Sequence, residues 1–276
     1  MRLLWNSDFK KRYTEAGKEI IYMSVNPAKV LEVKRVAKDV YYILVEPLYG
    51  IDDVQPFNFF MVWVPRVDEI PLSIAYFKNN FFAFLFKVKG LGTKTLSDIV
   101  LGQFIGLKGP LGRGFTVHDD SKNILVIAGG IGIAPIPLFI GMSRFKKLDV
   151  IWGAKSSDEL FNLNELFPDI SGRYSLIIAT EDCSYGVCGT VLEALKTVDL
   201  DAYDVMVAVG PTLMLRKICE YLNSEKAYVA LETMVKCGIG VCGSCYIKSS
   251  SKLLCRDGPV FKCDEVNEHL RAYSNS

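Results

Sequence analysis

The sequence predicts a chain of mixed β and α/β class: a small antiparallel β-barrel, then a parallel α/β sheet, then a short cysteine-rich tail. Short β-rich runs split by turn residues fill the first part, with no competing helical period. Beyond Asp119, apolar strands alternate with helical stretches, the pattern of a parallel sheet with crossover helices. Four of the eight cysteines then fall between residues 237 and 255, a density that calls for a chemical explanation. A length of 276 residues suits this division, since domains typically hold about 100–150. The expected boundaries are an N-terminal extension at 1–26, the barrel at 27–117, the α/β unit at 118–227 and the tail at 228–276.

In the barrel the expected strands are Val30–Val36, Val40–Val45, Phe59–Val64, Leu72–Tyr76, Phe81–Val88 and Phe104–Lys108. A short helix over Ser97–Leu101 would sit between the last two. The α/β unit should open with the strand Asn123–Ala128, a glycine turn and a helix over Pro135–Arg144. Strands at Leu148–Gly153, Leu176–Thr180 and Asp204–Val209 follow, with helices at Glu159–Leu166, Gly189–Leu195 and Thr212–Asn223. From Tyr228 onward little regular pattern is visible.

Charge narrows the function classes. Lys plus Arg (32) nearly cancels Asp plus Glu (31), so no basic field exists to hold nucleic acid or anionic lipid. The uncharged stretch Ile124–Ser143 is long enough for a membrane span, but its glycines and prolines fit a strand, turn and helix. Asp8, Lys10, Lys11 and Arg12 stand where a signal peptide would need an apolar run. A cytoplasmic protein is expected, and cysteines there point to metal binding before disulfides.

The cysteine segment reads Cys237-Gly-Ile-Gly-Val-Cys242-Gly-Ser-Cys245, with Cys255 beyond it. This is the C-x4-C-x2-C…C spacing of plant-type [2Fe–2S] binding, in which four thiolates converge on two irons. Gly238, Gly240 and Gly243 allow a tight fold that turns backbone N–H groups toward sulfur. Structural zinc is the rival reading, although zinc usually takes two short cysteine knuckles that this spacing lacks. Cys263 could replace Cys255 as the fourth ligand. Cys183, Cys188 and Cys219 stand outside any ligand pattern and are expected as buried free thiols.

Three glycine-rich turns are candidates for holding phosphates. Gly129-Gly130-Ile-Gly132 follows an apolar strand and precedes a helix, a turn that offers backbone amides to a pyrophosphate. Pro135 replaces the third glycine of a Rossmann turn, and the second strand runs into Gly153-Ala154-Lys155 with no clear acidic residue. NAD and NADP are therefore not distinguished. Lys89-Gly90-Leu-Gly92-Thr93-Lys94 is a second cationic, hydroxyl-bearing loop, and Gly109-Pro-Leu-Gly112-Arg-Gly114-Phe115 closes the barrel.

In their order, these motifs resemble the electron-transfer subunits of the heteromeric dihydroorotate dehydrogenases, within the ferredoxin reductase superfamily. The resemblance spans roughly Pro27–Phe261 and includes Val209-Gly-Pro211, Met214-Leu215 and Cys255-Arg-Asp-Gly-Pro-Val-Phe261. The last segment is similar to the one holding that family's final cluster ligand, which ranks Cys255 above Cys263. The resemblance implies an FAD-binding antiparallel barrel, an NAD-binding parallel α/β domain and a small C-terminal [2Fe–2S] domain. Its flavin motif, Arg-Pro-x-Ser/Thr, maps onto Ile70-Pro71-Leu72-Ser73, with Ile70 in place of the arginine. FAD contacts are implied at Pro71, Leu72, Ser73, Gly90, Gly92 and Thr93. Dinucleotide contacts are implied at Gly129, Gly130 and Gly132, and cluster ligation at Cys237, Cys242, Cys245 and Cys255. Two departures touch the nicotinamide region: Val209 stands where the family has cysteine, and Cys183 where it has glycine.

Neither His118 nor His269 lies in a motif, so no base for carbon-acid oxidation is evident, and both read as surface or structural residues. The resemblance places that chemistry in an FMN-containing dihydroorotate dehydrogenase catalytic subunit, with a heterotetramer as the expected assembly in pyrimidine biosynthesis. Electrons would pass through the cluster and FAD to NAD, the candidate acceptor, or to another acceptor. Two readings compete with this one. The chain could be a related subunit of a sulfide dehydrogenase or ferredoxin:NADP oxidoreductase, or a non-catalytic metal-sensing scaffold that kept the fold.

Overall fold

The computed structural model describes residues 25–222, 225–248 and 250–272. The signal-peptide argument and most of the N-terminal extension concern residues 1–24, which lie outside the described residues. The barrel consists of β1 (Asn26–Ala37), β2 (Val40–Pro47), β3 (Phe59–Val64), β4 (Asp68–Lys78), β5 (Phe81–Lys87) and, after the helix α1 (Leu91–Ser97), β6 (Phe104–Leu111). The strands close antiparallel in the order β1-β2-β5-β4-β3-β6. Closure leaves no exposed sheet edge, and the inward aromatic residues fill the interior. Phe60 packs edge-on against Phe82 and Phe84, with ring centroids 5.3 and 6.0 Å apart.

Helix α1 stands where a glycine loop was expected, and the helix predicted over Ser97–Leu101 is absent. Thr93, in the first turn, is the reason. Its hydroxyl accepts from the N–H groups of Lys89 and Gly90 at 2.9 and 3.1 Å and donates to the Gly90 carbonyl. The bond to Gly90 N–H is half of a capping box, and with the burial of Leu96 it outweighs the low helix propensity of glycine.

The second unit contains β7 (Asn123–Gly129), α2 (Ile136–Met142), β8 (Lys147–Ala154), α3 (Leu163–Leu166), β9 (Ser175–Thr180), β10 (Val187–Cys188), α4 (Val191–Leu195), β11 (Val205–Val209), α5 (Thr212–Tyr221) and β12 (Ala227–Ala230). The tail adds β13 (Tyr246–Ile247), β14 (Lys252–Leu253), α6 (Leu254–Asp257), β15 (Val260–Lys262) and α7 (Cys263–Ala272). One seven-stranded sheet runs β10-β9-β8-β7-β11-β12-β15, parallel except for the antiparallel edge strand β15. Strand β12 crosses residue 228 and pairs with β15, so the tail is hydrogen-bonded into the parallel sheet.

Several elements differ from expectation for identifiable reasons. Helix α2 ends at Met142 because Ser143 is extended and Arg144 donates to the Val117 carbonyl instead. The stretch Ile124–Ser143 is thus a strand, a turn and a seven-residue helix, and no helix among the described residues is long and apolar enough to cross a membrane. The helix expected over Glu159–Leu166 begins only at Leu163, where the Asn162 side chain caps the N–H groups of Asn164 and Glu165.

The free-thiol reading of Cys183, Cys188 and Cys219 is corrected by two disulfides, Cys183–Cys188 and Cys219–Cys263. Gly186, at φ +71°, turns the chain so that Cys183 and Cys188 face each other, and both are exposed. Packing of α5 on α7 brings Cys219 to Cys263, with Cα atoms 5.4 Å apart in the core. His118 is exposed, whereas His269 is buried and accepts from Lys248 N–H at 3.1 Å through Nδ1. Burial pushes the imidazole of His269 below its ordinary pKa, as suits a packing residue.

The buried Asp149 on β8 accepts hydrogen bonds from Tyr203 at 2.5 Å and from Lys147 at 2.6 Å. Burial alone would raise its pKa, but these partners hold the carboxyl below its ordinary value. Its stability contribution is present above the unfolded pKa of about 3.9 and is lost as pH falls through the lower native value. Thermal midpoints recorded as pH falls toward about 3 should therefore decline more steeply in wild type than in Asp149→Asn.

Candidate electron-transfer site

Three features meet on one side of the molecule: a cavity between barrel and sheet, a second cavity over the sheet edge, and the cysteine loop. The first, of 310 Å³, has walls from the barrel (Ser73, Phe86), the sheet turn (Gly132, Pro135) and the tail (Val235, Leu254). The second, of 480 Å³, spreads over the carboxyl ends of the parallel strands between Gly130, Ala154, Glu181 and Pro211. In an open α/β sheet this end collects loops and helix N-termini, so it is where ligands bind. Lys87, Lys89, Ile131, Gly132 and Glu232 line both cavities, which therefore adjoin. Lys87 reaches Glu159 at 2.6 Å, a partly buried ion pair that ties the barrel to the α/β unit. No ion pair to Lys89 is found among the described residues, leaving its charge available where the cavities meet.

The glycine turn is shaped by close packing. Gly130 has φ +54°, and its carbonyl accepts from the indole N–H of Trp152 at 3.0 Å. A Cβ on Gly132 would lie 2.4 Å from the Val209 carbonyl oxygen, so only glycine brings this turn against β11.

Of the residues singled out in sequence, Pro71, Leu72, Ser73 and Thr93 line the first cavity, Gly129 and Gly130 the second, and Gly132 both. Gly90 and Gly92 line neither: Gly90 caps α1, and the Cβ site of Gly92 lies 3.1 Å from Ile70 Cγ2. Lys87, Glu232, Thr233 and Leu254 are cavity residues that sequence reasoning missed, since no local motif marks them. Thr233 Oγ1 is buried with no hydrogen-bond partner, a costly state for a hydroxyl unless a ligand supplies the partner. A polar-headed ligand with an apolar body fits such a cavity.

The cysteine loop follows directly. Gly238, Gly240 and Gly243 all have positive φ, at +74°, +77° and +72°, which lets the loop curl around its sulfurs. Cys255 Sγ accepts from Gly240 N–H at 3.2 Å and Cys237 Sγ from Cys242 N–H at 3.4 Å. Cys245 and Cys255 are buried, with sulfurs 3.3 Å apart, while Cys242 is exposed. Cys263, the alternative for the fourth position, is paired with Cys219. Cys245 and Cys255 thus face each other sulfur to sulfur, while the Cys237 sulfur meets the Cys242 backbone. A dinuclear cluster takes two cysteines per iron, and this arrangement fits that donor set.

Protonation differs sharply across the loop. The Ser244 hydroxyl, 3.4 Å from Cys242 Sγ, and nearby N–H groups pull that thiol down to about 6. Burial, with Cys245 beside it, pushes Cys255 up to about 12. The barrel linker backs the loop: Gly112 N–H donates to the Cys255 carbonyl at 3.0 Å and Arg113 N–H to that of Gly258 at 2.6 Å. Leu254, beside Cys255, faces the first cavity, so cavity and thiol loop share a wall.

Comparison with known proteins fits this arrangement. Residues 232–267 match the iron-sulfur cluster binding domain of dihydroorotate dehydrogenase B. Probable electron transfer subunits of dihydroorotate dehydrogenase B (NAD(+)) are similar over most of their length. The one from Archaeoglobus fulgidus is 39% identical over 217 residues, covering 76% of this chain and 87% of the relative. The one from Pyrococcus furiosus is 38% identical over 225 residues, covering 80% and 85%. Among solved structures, that of an NADH-dependent reduced ferredoxin-NADP oxidoreductase superposes with a TM-score of 0.75 at 26% identity, over 92% of this chain and 94% of the other. The ferredoxin reductase of carbazole 1,9a-dioxygenase, at 16% identity and TM-score 0.65 over 75% and 68%, shares the fold. The barrel, the parallel sheet, the cysteine loop and this extent of identity lead to one conclusion: the chain belongs to the family of dihydroorotate dehydrogenase B electron transfer subunits.

Proposed function

We propose that this chain is the electron-transfer subunit of a heteromeric dihydroorotate dehydrogenase in pyrimidine biosynthesis. It is an oxidoreductase component with FAD and a [2Fe–2S] cluster, and its partner is an FMN-containing catalytic subunit in a heterotetramer. FAD, when bound, converts between the one-electron steps of the cluster and the two-electron step at NAD. The single observation that carries this reading is the shared wall: Val235 and Leu254 line the first cavity while flanking Cys237 and Cys255.

The chain's own groups divide the work. Cys237 with Cys242, and Cys245 with Cys255, would hold the two irons. The N–H groups of Gly240 and Cys242 donate to sulfur and so favour added negative charge there. Pro71, Leu72 and Ser73 would hold the flavin from the barrel side, Thr233 supplying a hydroxyl from the tail. Lys89 offers a cation toward the diphosphate, near the place left without one by Ile70. The turn Gly129-Gly130-Ile-Gly132 would receive the dinucleotide, with Glu181 at the rim accepting from a ribose hydroxyl. Met234, Ile239, Val241 and Tyr246 are exposed around the cluster loop and would be covered by the catalytic subunit, excluding water from the electron path.

An anaerobic visible spectrum with flavin identification and iron and sulfide assays tests the cofactors. Co-expression with the FMN subunit tests the role, the expected result being dihydroorotate-dependent NAD reduction. The second reading, a ferredoxin:NADP oxidoreductase subunit, draws on the near full-length superposition on the NADH-dependent enzyme. Reduction by ferredoxin, with none by dihydroorotate, would favour it.

Ile70 itself makes a direct prediction. Replacing it with arginine (Ile70→Arg) restores a charge-assisted contact of about 1.5–3 kcal/mol, so the FAD dissociation constant should fall about tenfold or more. Flavin fluorescence during dilution measures this, and unchanged release would mean that position 70 does not face the phosphates.

A further inference from the structure

The turn from β9 into β10 carries the one exposed disulfide among the described residues, with Cys188 at the end of β10. Its flanks, Glu181 before Cys183 and Thr190 after Cys188, both line the second cavity. The segment is also hydrogen-bonded to the cavity residues Ala154 and Lys155 and to β9. Glu181 N–H donates to Ala154 O at 3.1 Å, Asp182 N–H to Lys155 O at 3.2 Å, and Gly189 N–H to Thr180 O at 2.9 Å. Beyond it, Thr190 caps α4, whose first residues Val191 and Leu192 continue the cavity wall. Cys183 sits at φ +62°, a left-handed conformation that a residue with a Cβ adopts only when its surroundings impose it. Pairing with Cys188, five residues on, is one such constraint. Cys263 in the other disulfide is fully buried, out of reach of an attacking thiolate.

We propose that Cys183–Cys188 is a redox-responsive couple whose state sets the affinity of the adjoining cavity for a nicotinamide dinucleotide. The inference rests on the reading of that cavity as the dinucleotide seat. A low-molecular-weight thiol acts as the reductant. Its thiolate attacks one sulfur of the pair, breaking the Cys–Cys bond and forming a mixed disulfide. A second thiolate then displaces the remaining cysteine. Two electrons and two protons pass from two small thiols to the pair, leaving two cysteine thiols and one small disulfide. The closed loop adds its constraint to the hydrogen bonds that hold Glu181 and Thr190. The open loop lets Cys183 leave its left-handed conformation, and both rim residues lose that constraint.

The test uses the full chain with its cofactors, equilibrated anaerobically in oxidised or reduced dithiothreitol, with alkylation and peptide mapping to read the state of the pair. NADH titration should give a dissociation constant about fivefold or more higher in the reduced form. Cys183→Ser/Cys188→Ser should bind at the weaker value in both buffers, which separates this pair from any effect at Cys219–Cys263 or at the cluster. A pair that stays reduced in the oxidising buffer overturns the inference, as does NADH binding of unchanged affinity. No NADH binding in either state overturns it together with the dinucleotide reading of the cavity, and so is told apart from failure of the switch alone.

Discussion

Replacing Cys255 with serine is expected to abolish the iron–sulfur chromophore while leaving the polypeptide folded and competent for flavin. Cys255 Sγ lies 3.3 Å from Cys245 Sγ, receives Gly240 N–H at 3.2 Å, and is buried behind the wall that Leu254 shares with the first cavity. An alcohol oxygen is a poor substitute for a thiolate toward iron, and no other cysteine can move in, because Cys263 is tied to Cys219. Cys237→Ser, Cys242→Ser and Cys245→Ser should act alike, while Cys183→Ser should leave the chromophore intact. Iron and acid-labile sulfide assays with the visible spectrum measure the loss. Full iron content with an unchanged spectrum in Cys255→Ser would remove that residue from the ligand set. Under the proposed function, dihydroorotate-dependent NAD reduction should fall together with the cluster.

Breaking Cys219–Cys263 should have the largest effect on stability. The bond closes a span of 44 residues that contains the whole cluster loop, and it fastens α7 to α5. Loop-closure entropy gives about 4 kcal/mol for a span of that length, an upper figure because real cross-links often deliver less. About 3 °C per kcal/mol in a chain of this size gives a fall in thermal midpoint of about 10 °C in Cys219→Ser/Cys263→Ser. Calorimetry or circular dichroism against wild type reads the shift, and the variant should lose its cluster at lower denaturant than wild type. Equal midpoints for the two proteins would show that the bond does not form in solution.

The parts of the chain that were legible in sequence share a physical character. The barrel strands, the alternating sheet and the glycine turn are written in short-range patterns of apolar, turn and glycine residues. The cluster spacing is shorter still, and the loop of Cys237, Cys242 and Cys245 has the positive-φ glycines that the spacing implied. Errors arose where a local signal met a stronger partner. The Gly90-Leu-Gly92 stretch reads as loop, but the Thr93 cap and the burial of Leu96 make it helix α1. Strand β15 has too few apolar residues to be recognised alone, and it exists because β12 offers it an edge.

By itself, then, the amino-acid order determined the fold class, the succession of units and the cysteine-rich iron–sulfur segment, because each depends on residues close together in the chain. Only the tertiary structure decided that Cys219 meets Cys263, that Cys183 and Cys188 face each other at a cavity rim, and that Lys89, Thr233 and Leu254 line one cavity. Such contacts join segments whose proximity arises from packing. Hydrophobic burial and sheet pairing bring them together, and neither leaves a signature in the residues that happen to meet.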